Sequence, residues 1–176
     1  MFPELTTERF LLTEVRPEDQ QFLFEGLSDP TTMPYNGVYY KTLEDTKAQL
    51  DWYNKNWSEG TGINWKIVSK SDGENIGVIS VYLFKPEHKK AELGYWLLPR
   101  FWHQGIASEV LKVVVQYWQT EKKLHRLEAF IEEENSASIR LLEKAGFTFE
   151  GTMRDCELKF GRSISLRIYS LLATER

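Results

Sequence analysis

Apolar residues recur along this chain at two periods, and the switches between them mark out its elements. Leu93, Tyr95 and Leu97 alternate with Glu92, Gly94 and Trp96, the two-residue period of a pleated strand, and Pro99 ends it. Ile106, Val110, Val114 and Trp118 then follow at i, i+4 steps, with Leu111 and Tyr117 widening the stripe, which predicts a helix. Further strands are predicted over 10–15, 63–69, 75–84, 127–132, 147–158 and 164–172. The turn Lys70-Ser-Asp-Gly-Glu74 makes 63–84 a hairpin. A helix over 17–28 opens on Pro17, Glu18 and Asp19, buries Phe22, Leu23 and Leu27, and stops at Asp29-Pro30. A second, over 42–58, starts on the capping-box spelling Thr42-Leu-Glu-Asp45, and a third runs from Asn135 to Ala145, closed by Gly146. The predicted order is β-α-α-β-β-β-α-β-α-β-β. Only connections through long helices join parallel strands, so the fold class is α+β: a mixed, mostly antiparallel sheet of about seven strands. Helices on both faces complete three layers.

A length of 176 residues, 41% of them hydrophobic, suits one domain over 1–176 with a sizeable core. No apolar run reaches the length that spans a bilayer, and the start lacks the basic region and apolar stretch of a signal peptide. The single Cys156 has no internal disulfide partner, and no Cys/His cluster has metal-ligand spacing. A reducing cytoplasm is the expected location, with no metal and no membrane partner. The net charge of −4 argues against nucleic-acid binding and permits a cationic substrate.

The turn between the Tyr95 strand and the Ile106 helix, Trp102-His103-Gln104-Gly105-Ile106-Ala107, places small residues at a helix entrance. Free N–H groups converge there, the helix dipole adds partial positive charge, and small residues let a phosphate come close. The same turn also serves as an ordinary tight connection. The chain contains neither G-x-x-x-x-G-K-[ST] nor G-x-G-x-x-G, which removes the P-loop and leaves a dinucleotide site unsupported.

With Ala91-Glu-Leu-Gly-Tyr-Trp-Leu97 before it and Glu134-Asn-Ser-Ala-Ser-Ile-Arg-Leu-Leu-Glu-Lys-Ala-Gly-Phe147 after it, the turn resembles the GNAT acetyltransferase superfamily. Gly105 and Ala107 fit the last two fixed places of that family's [Q/R]-x-x-G-x-[G/A] motif. Trp102 stands where Gln or Arg is usual, and His103 where many members carry another glycine. The resemblance covers nearly the whole chain and is closest to the branch that acetylates N-termini of ribosomal proteins. It implies acetyl-CoA as co-substrate, direct attack by the amine, and the GNAT fold. It also makes a homodimer through the last strands plausible.

Residue roles follow from that resemblance. Backbone N–H groups of His103, Gln104, Gly105, Ile106, Ala107 and Ser108 are expected to hold the CoA pyrophosphate, with the His103 imidazole either adding a contact or facing solvent. The backbone of Trp96, Leu97 and Leu98 is expected to pair with pantetheine, and Asn135 to hydrogen-bond it while capping its own helix. Glu92 is the candidate base; the other reading is a strand-end glutamate paired with Lys89 or Lys90, or left in water. Ser138 is the candidate acid near the thiol sulfur, because the family's helix tyrosine is replaced by Leu142. Cys156 is expected to be a buried small hydrophobe. The loop 30–41, rich in Tyr and Pro, either borders the acceptor cleft or simply packs its aromatics. The acidic run Glu132-Glu133-Glu134 reads as a solvated strand end or an attractor for a cationic acceptor.

These expectations converge on transfer of an acetyl group to a primary amine, foremost the N-terminal α-amine of a protein such as a ribosomal protein. The rival acceptors are small amines: amino acids, polyamines or antibiotics. A rival of a different class is a non-catalytic acyl-CoA-binding module.

Overall fold

The alternating segments form β1 (Leu5–Thr6), β2 (Phe10–Glu14), β3 (Ile63–Ser69), β4 (Asn75–Lys85), β5 (Lys90–Leu97), β6 (Arg126–Glu132), β7 (Thr148–Lys159) and β8 (Arg162–Leu172). In the computed structural model, which describes residues 1–175, they make one sheet in the order β1-β2-β3-β4-β5-β6-β8-β7. The seven expected strands are all present. The eighth, β1, is a two-residue pairing of Leu5 and Thr6 with Leu12 and Leu11, too short to show a period.

The helices are α1 (Gln20–Ser28), α2 (Lys47–Ser58), α3 (Ile106–Thr120) and α4 (Ser136–Lys144). A short 3-10 turn, Pro17–Asp19, precedes α1, and the Arg16 N–H donates to Asp19 Oδ2 at 2.8 Å to open it. Ahead of α2, Thr42 and Asp45 exchange backbone-to-side-chain bonds of 3.1 and 3.2 Å, the reciprocal cap that the spelling predicted.

Because strand side chains alternate between faces, the sheet has two cores. On one face α3 lays Ile106, Val110, Leu111, Val114 and Trp118 against Trp65, Ile67, Ile79 and Leu93, and α4 adds Leu142. On the other, Phe22 and Leu23 of α1 and Leu50 and Tyr53 of α2 cover Val78 and Leu98. Each such side chain removed from water is worth roughly 1.5–3 kcal/mol. Lys66 leaves β3 on the α1 face and pairs with the buried Asp19 at 2.6 Å, tying the first helix to the sheet.

All neighbouring strands are antiparallel except β5 and β6, which the α3 crossover joins in parallel. That pairing stops after Lys90–Arg126, Ala91–Leu127 and Glu92–Glu128. Past Glu92, β5 stays on β4 as far as Leu97, while β6 stays on β8 as far as Glu132. A wedge therefore opens in the middle of the sheet.

Candidate active site

The wedge leads into a cleft of about 370 Å³ lined by β5, the 101–108 turn, the start of α4 and loop residues Thr32, Tyr35 and Asn36. At its outer end the chain enters α3 through two left-handed residues, His103 at φ 59° and Gly105 at φ 74°. No side chain caps α3. Among the described residues, none of the six backbone N–H groups from His103 to Ser108 donates to a protein acceptor. A run of free donors at a helix N-terminus is built for an anion of phosphate type. Arg9 braces it from behind: its guanidinium donates to Gln104 O at 3.3 Å and to Glu109 Oε2 at 2.7 Å.

Along β5 the hydrogen-bond phase decides which groups reach the wedge. The Leu98 N–H donates to Ile76 O at 2.9 Å, so Leu98 faces β4 as a bonded pair. By the antiparallel alternation Trp96 does the same, and it is Tyr95 and Leu97 whose N–H groups point into the wedge. This corrects the expectation for two residues. Trp96 and Leu98 spend their backbone on β4, and the Leu98 side chain lies in the α1/α2 core. Trp96 still lines the cleft with its side chain. Trp102 has a structural task of its own, since its indole N–H donates to Leu97 O at 2.8 Å and closes the strand end.

On the opposite face of the sheet, between loop 30–41, α2, β5 and β7, lies a second cavity of about 630 Å³. The two cavities share Tyr35, Asn36, Tyr95, Trp96, Asn135 and Ser138, so they meet at the wedge. Glu92 lines the second one, half-buried, and accepts a hydrogen bond of 2.5 Å from the Tyr82 hydroxyl. Desolvation holds its carboxyl above the usual range, opposed by that bond and reinforced by the charges of Glu128 and Glu157. It pairs with neither Lys89 nor Lys90; Lys90 instead bridges to Glu128 at 3.2 Å.

An anion cradle joined through a splayed parallel pair to a carboxylate-bearing cavity has room for two substrates. Residues 9–148 match the Acetyltransferase (GNAT) domain family. Across 98% of both chains, 32% of residues are identical to the N-acetyltransferase YoaA of Bacillus subtilis. The chain belongs to the GNAT N-acetyltransferases. Two solved structures share the fold of this acetyltransferase at low identity. One is RimL, a ribosomal L7/L12 alpha-N-protein acetyltransferase with coenzyme A (TM-score 0.80, 20% identity, 99% and 100% of the chains covered). The other is the spermidine N-acetyltransferase of Vibrio cholerae with CoA and spermine (TM-score 0.83, 19% identity, 94% and 96% covered). Their acceptors differ, so fold likeness leaves the acceptor to be argued from the cavity.

At the inner end of the acetyltransferase cleft, Asn135 caps α4 by accepting the Ser138 N–H at 3.1 Å. Ser138 thus stands at the junction of the two cavities. Leu142, in the family's tyrosine place, is fully buried in the α3 core and offers no hydroxyl. The loop 30–41 does more than pack: Tyr40 donates to Gln49 Oε1 at 3.0 Å and lines the second cavity with Asn36 and Val38. Within the acidic run, Glu132 pairs with Lys159 and Glu133 with Arg167, so these two are neither free attractors nor unpartnered.

Cys156 is exposed, contrary to expectation. It sits in an irregular stretch of β7, where Asp155 has φ 48° and the register to β8 shifts between Met153 and Glu157. β7 is the edge strand of the sheet and is exposed along most of its length, so a small side chain there has no core to enter. Sequence reasoning also passed over Tyr82 and Tyr95, which carry no spelling beyond that of apolar strand positions. A pairing of Tyr82 with Glu92 across β4 and β5 was legible only once their register was known.

His103 illustrates how the cradle works through its backbone. It is exposed and left-handed, a conformation that glycine adopts freely and other residues at a cost of about 1–2 kcal/mol. His103→Gly is expected to change stability by less than about 1 kcal/mol, because the lost strain is offset by a more flexible unfolded chain. The KM for acetyl-CoA should stay within about twofold of wild type. A tenfold rise in KM would instead assign the phosphate contact to the imidazole.

Proposed function

We propose that this acetyltransferase moves the acetyl group of acetyl-CoA to the α-amine at a protein N-terminus, such as that of a ribosomal protein. The observation that carries the reading is Glu92, one half-buried carboxylate held by Tyr82 in an aromatic cavity that opens onto the cofactor cleft. Of the other carboxylates lining that cavity, Glu132 is neutralised by Lys159 and Glu157 is exposed. One buried negative charge suits one ammonium group, whereas a polyamine calls for a row of them. Tyr40, Trp52 and Tyr53 supply apolar walls for the first side chain of the acceptor. An α-amine also deprotonates near pH ~8, against about 10 for a lysine-type amine, so a raised carboxylate is a sufficient base.

In this reading the cradle N–H groups of His103, Gln104, Gly105, Ile106, Ala107 and Ser108 hold the pyrophosphate. The Tyr95 and Leu97 edge aligns pantetheine, with Asn135 across the wedge. The ammonium gives a proton to Glu92, which passes it to solvent; the neutral nitrogen then bonds to the carbonyl carbon and gives its second proton to Glu92 as the tetrahedral adduct collapses. The C–S bond breaks with its electron pair going to sulfur, where the Ser138 hydroxyl donates a hydrogen bond.

A small-molecule amine is the second reading, favoured by Lys159. Its ammonium donates to Pro34 O at 2.6 Å and pairs with Glu132, which ties loop 30–41 to β6 at the cavity rim. Such a tie narrows the way in for a chain. The discriminating experiment is CoA-thiol release from acetyl-CoA with peptides bearing free Ser, Ala and Met N-termini, their N-blocked controls, spermidine and free amino acids. Release with free but not blocked peptides is the expected result. Release with spermidine or an amino acid alone overturns the protein-terminus reading, and cofactor binding without release to any amine favours a binding module.

A further inference from the structure

Where the two cavities meet, the side chains of Tyr95 and Ser138 both join the lining, and among the described residues neither hydroxyl has a hydrogen-bond partner. Tyr95 extends from β5 toward the α3/α4 side, opposite to Glu92, because odd and even positions of the strand point to opposite faces. Its hydroxyl oxygen is sealed from solvent and has no hydrogen-bond partner in the protein. Ser138, at the third position of α4, lines both cavities, and among the described residues its hydroxyl makes no hydrogen bond. Burial pushes the Tyr95 phenol up to about 12, with the neighbouring Ser138 hydroxyl working against that rise. The phenol is therefore protonated at any working pH and lacks an acceptor. A buried polar group left unpaired is costly, and such groups persist where a function uses them.

We propose that Tyr95 is a positioning residue: once the thioester fills the wedge, its unpaired phenol takes Ser138 Oγ as acceptor and so turns the Ser138 hydrogen toward the departing sulfur. A serine hydroxyl alone is a weak donor that rotates freely. Accepting a hydrogen bond from Tyr95 leaves it one direction in which to donate and polarises its own O–H, since bonded hydroxyls strengthen one another in a chain. No proton leaves Tyr95. The two protons that the ammonium loses pass in turn to Glu92 and then to solvent, the electron pair of the broken C–S bond stays on sulfur, and the thiolate takes its proton from water after release. Base and donor thus act from opposite faces of β5, with the thioester in the wedge between them.

The inference rests on the acetyl-CoA reading above but not on any particular acceptor, so its test uses bound CoA itself. The thiol of CoA is titrated in complex with wild type, Tyr95→Phe, Ser138→Ala and the double variant by thiolate ultraviolet absorption, with desulfo-CoA as blank. Loosening the hydrogen bond that Ser138 gives the thiolate is expected to raise the thiol pKa by about one unit in Tyr95→Phe. Ser138→Ala should raise it at least as far, and the double variant no further than Ser138→Ala. With any acceptor that turns over, Tyr95→Phe should lower kcat about tenfold with the KM for acetyl-CoA within twofold. Unchanged thiol ionisation in Tyr95→Phe, or full additivity with Ser138→Ala, overturns the proposal. Failure of CoA to bind wild type overturns the acetyl-CoA reading instead.

Discussion

Glu92→Gln is expected to lower kcat/KM for the amine by about 10²–10³-fold, the usual scale for losing a positioned base. The amide keeps the size of the side chain and can still accept from Tyr82, so the loss reports proton transfer and not collapse of the cavity. The pH profile sharpens the test. Burial holds the carboxyl above 4.5, and the base works only when ionised, so wild-type kcat/KM should climb as pH passes that raised value. The Gln variant should lack this limb. Tyr82→Phe, which removes a bond that lowers the Glu92 pKa, should move the limb to higher pH. Stability shows the opposite preference. A folded pKa above the unfolded 4.5 means that Glu92 supports folding most at pH below 4.5, and that this contribution is lost as pH rises through the raised value. At neutral pH the Gln variant should therefore melt no lower than wild type. A Glu92→Gln enzyme with unchanged rate and pH profile would mean that the cleft draws its neutral amine from solvent.

Gly105→Val should weaken CoA binding by about 30- to 100-fold while sparing the fold. Space is not the obstacle: a Cβ at Gly105 would meet only Arg9 Nη2, at 3.8 Å. The obstacle is the backbone, since φ 74° costs a β-branched residue about 2 kcal/mol or more. Relief by rotation would turn the N–H groups of residues 103–108 away from a common point. Losing one charge-assisted bond, worth about 1.5–3 kcal/mol or roughly 13- to 160-fold, brackets the stated range. Calorimetric titration with CoA and with pantetheine separates the causes. Affinity for CoA should fall and that for pantetheine, which has no pyrophosphate, should hold; an equal loss for both would place the damage in the wedge.

The cradle was the most legible part of the site, because it depends on local spelling. Residues 103–108 lie within one turn, and a glycine at a helix entrance after a strand implies free N–H groups wherever the rest of the chain goes. The Asn135 cap of α4 is legible for the same reason. The β5 edge was only half legible. Which of Tyr95, Trp96, Leu97 and Leu98 faces the wedge depends on the phase of the β4–β5 ladder, set by a contact between Leu98 and Ile76 that no single-segment pattern contains. The burial expected of Cys156 failed because β7 is the edge strand, which only the strand order of the assembled sheet reveals.

By itself, the chain of residues determined the elements, their order and the two-faced burial of the sheet. Hydrophobic period, caps and turn residues act over a few positions, and each is satisfied locally. Tertiary structure alone decided that β8 inserts between β6 and β7, that β5 and β6 part after Glu92, that Tyr82 reaches Glu92, and that Tyr95 and Ser138 line the same cavities. Those are juxtapositions of segments 10 to more than 40 residues apart. They form only when the elements dock, and the chemistry proposed for this acetyltransferase uses the gap that their docking leaves open.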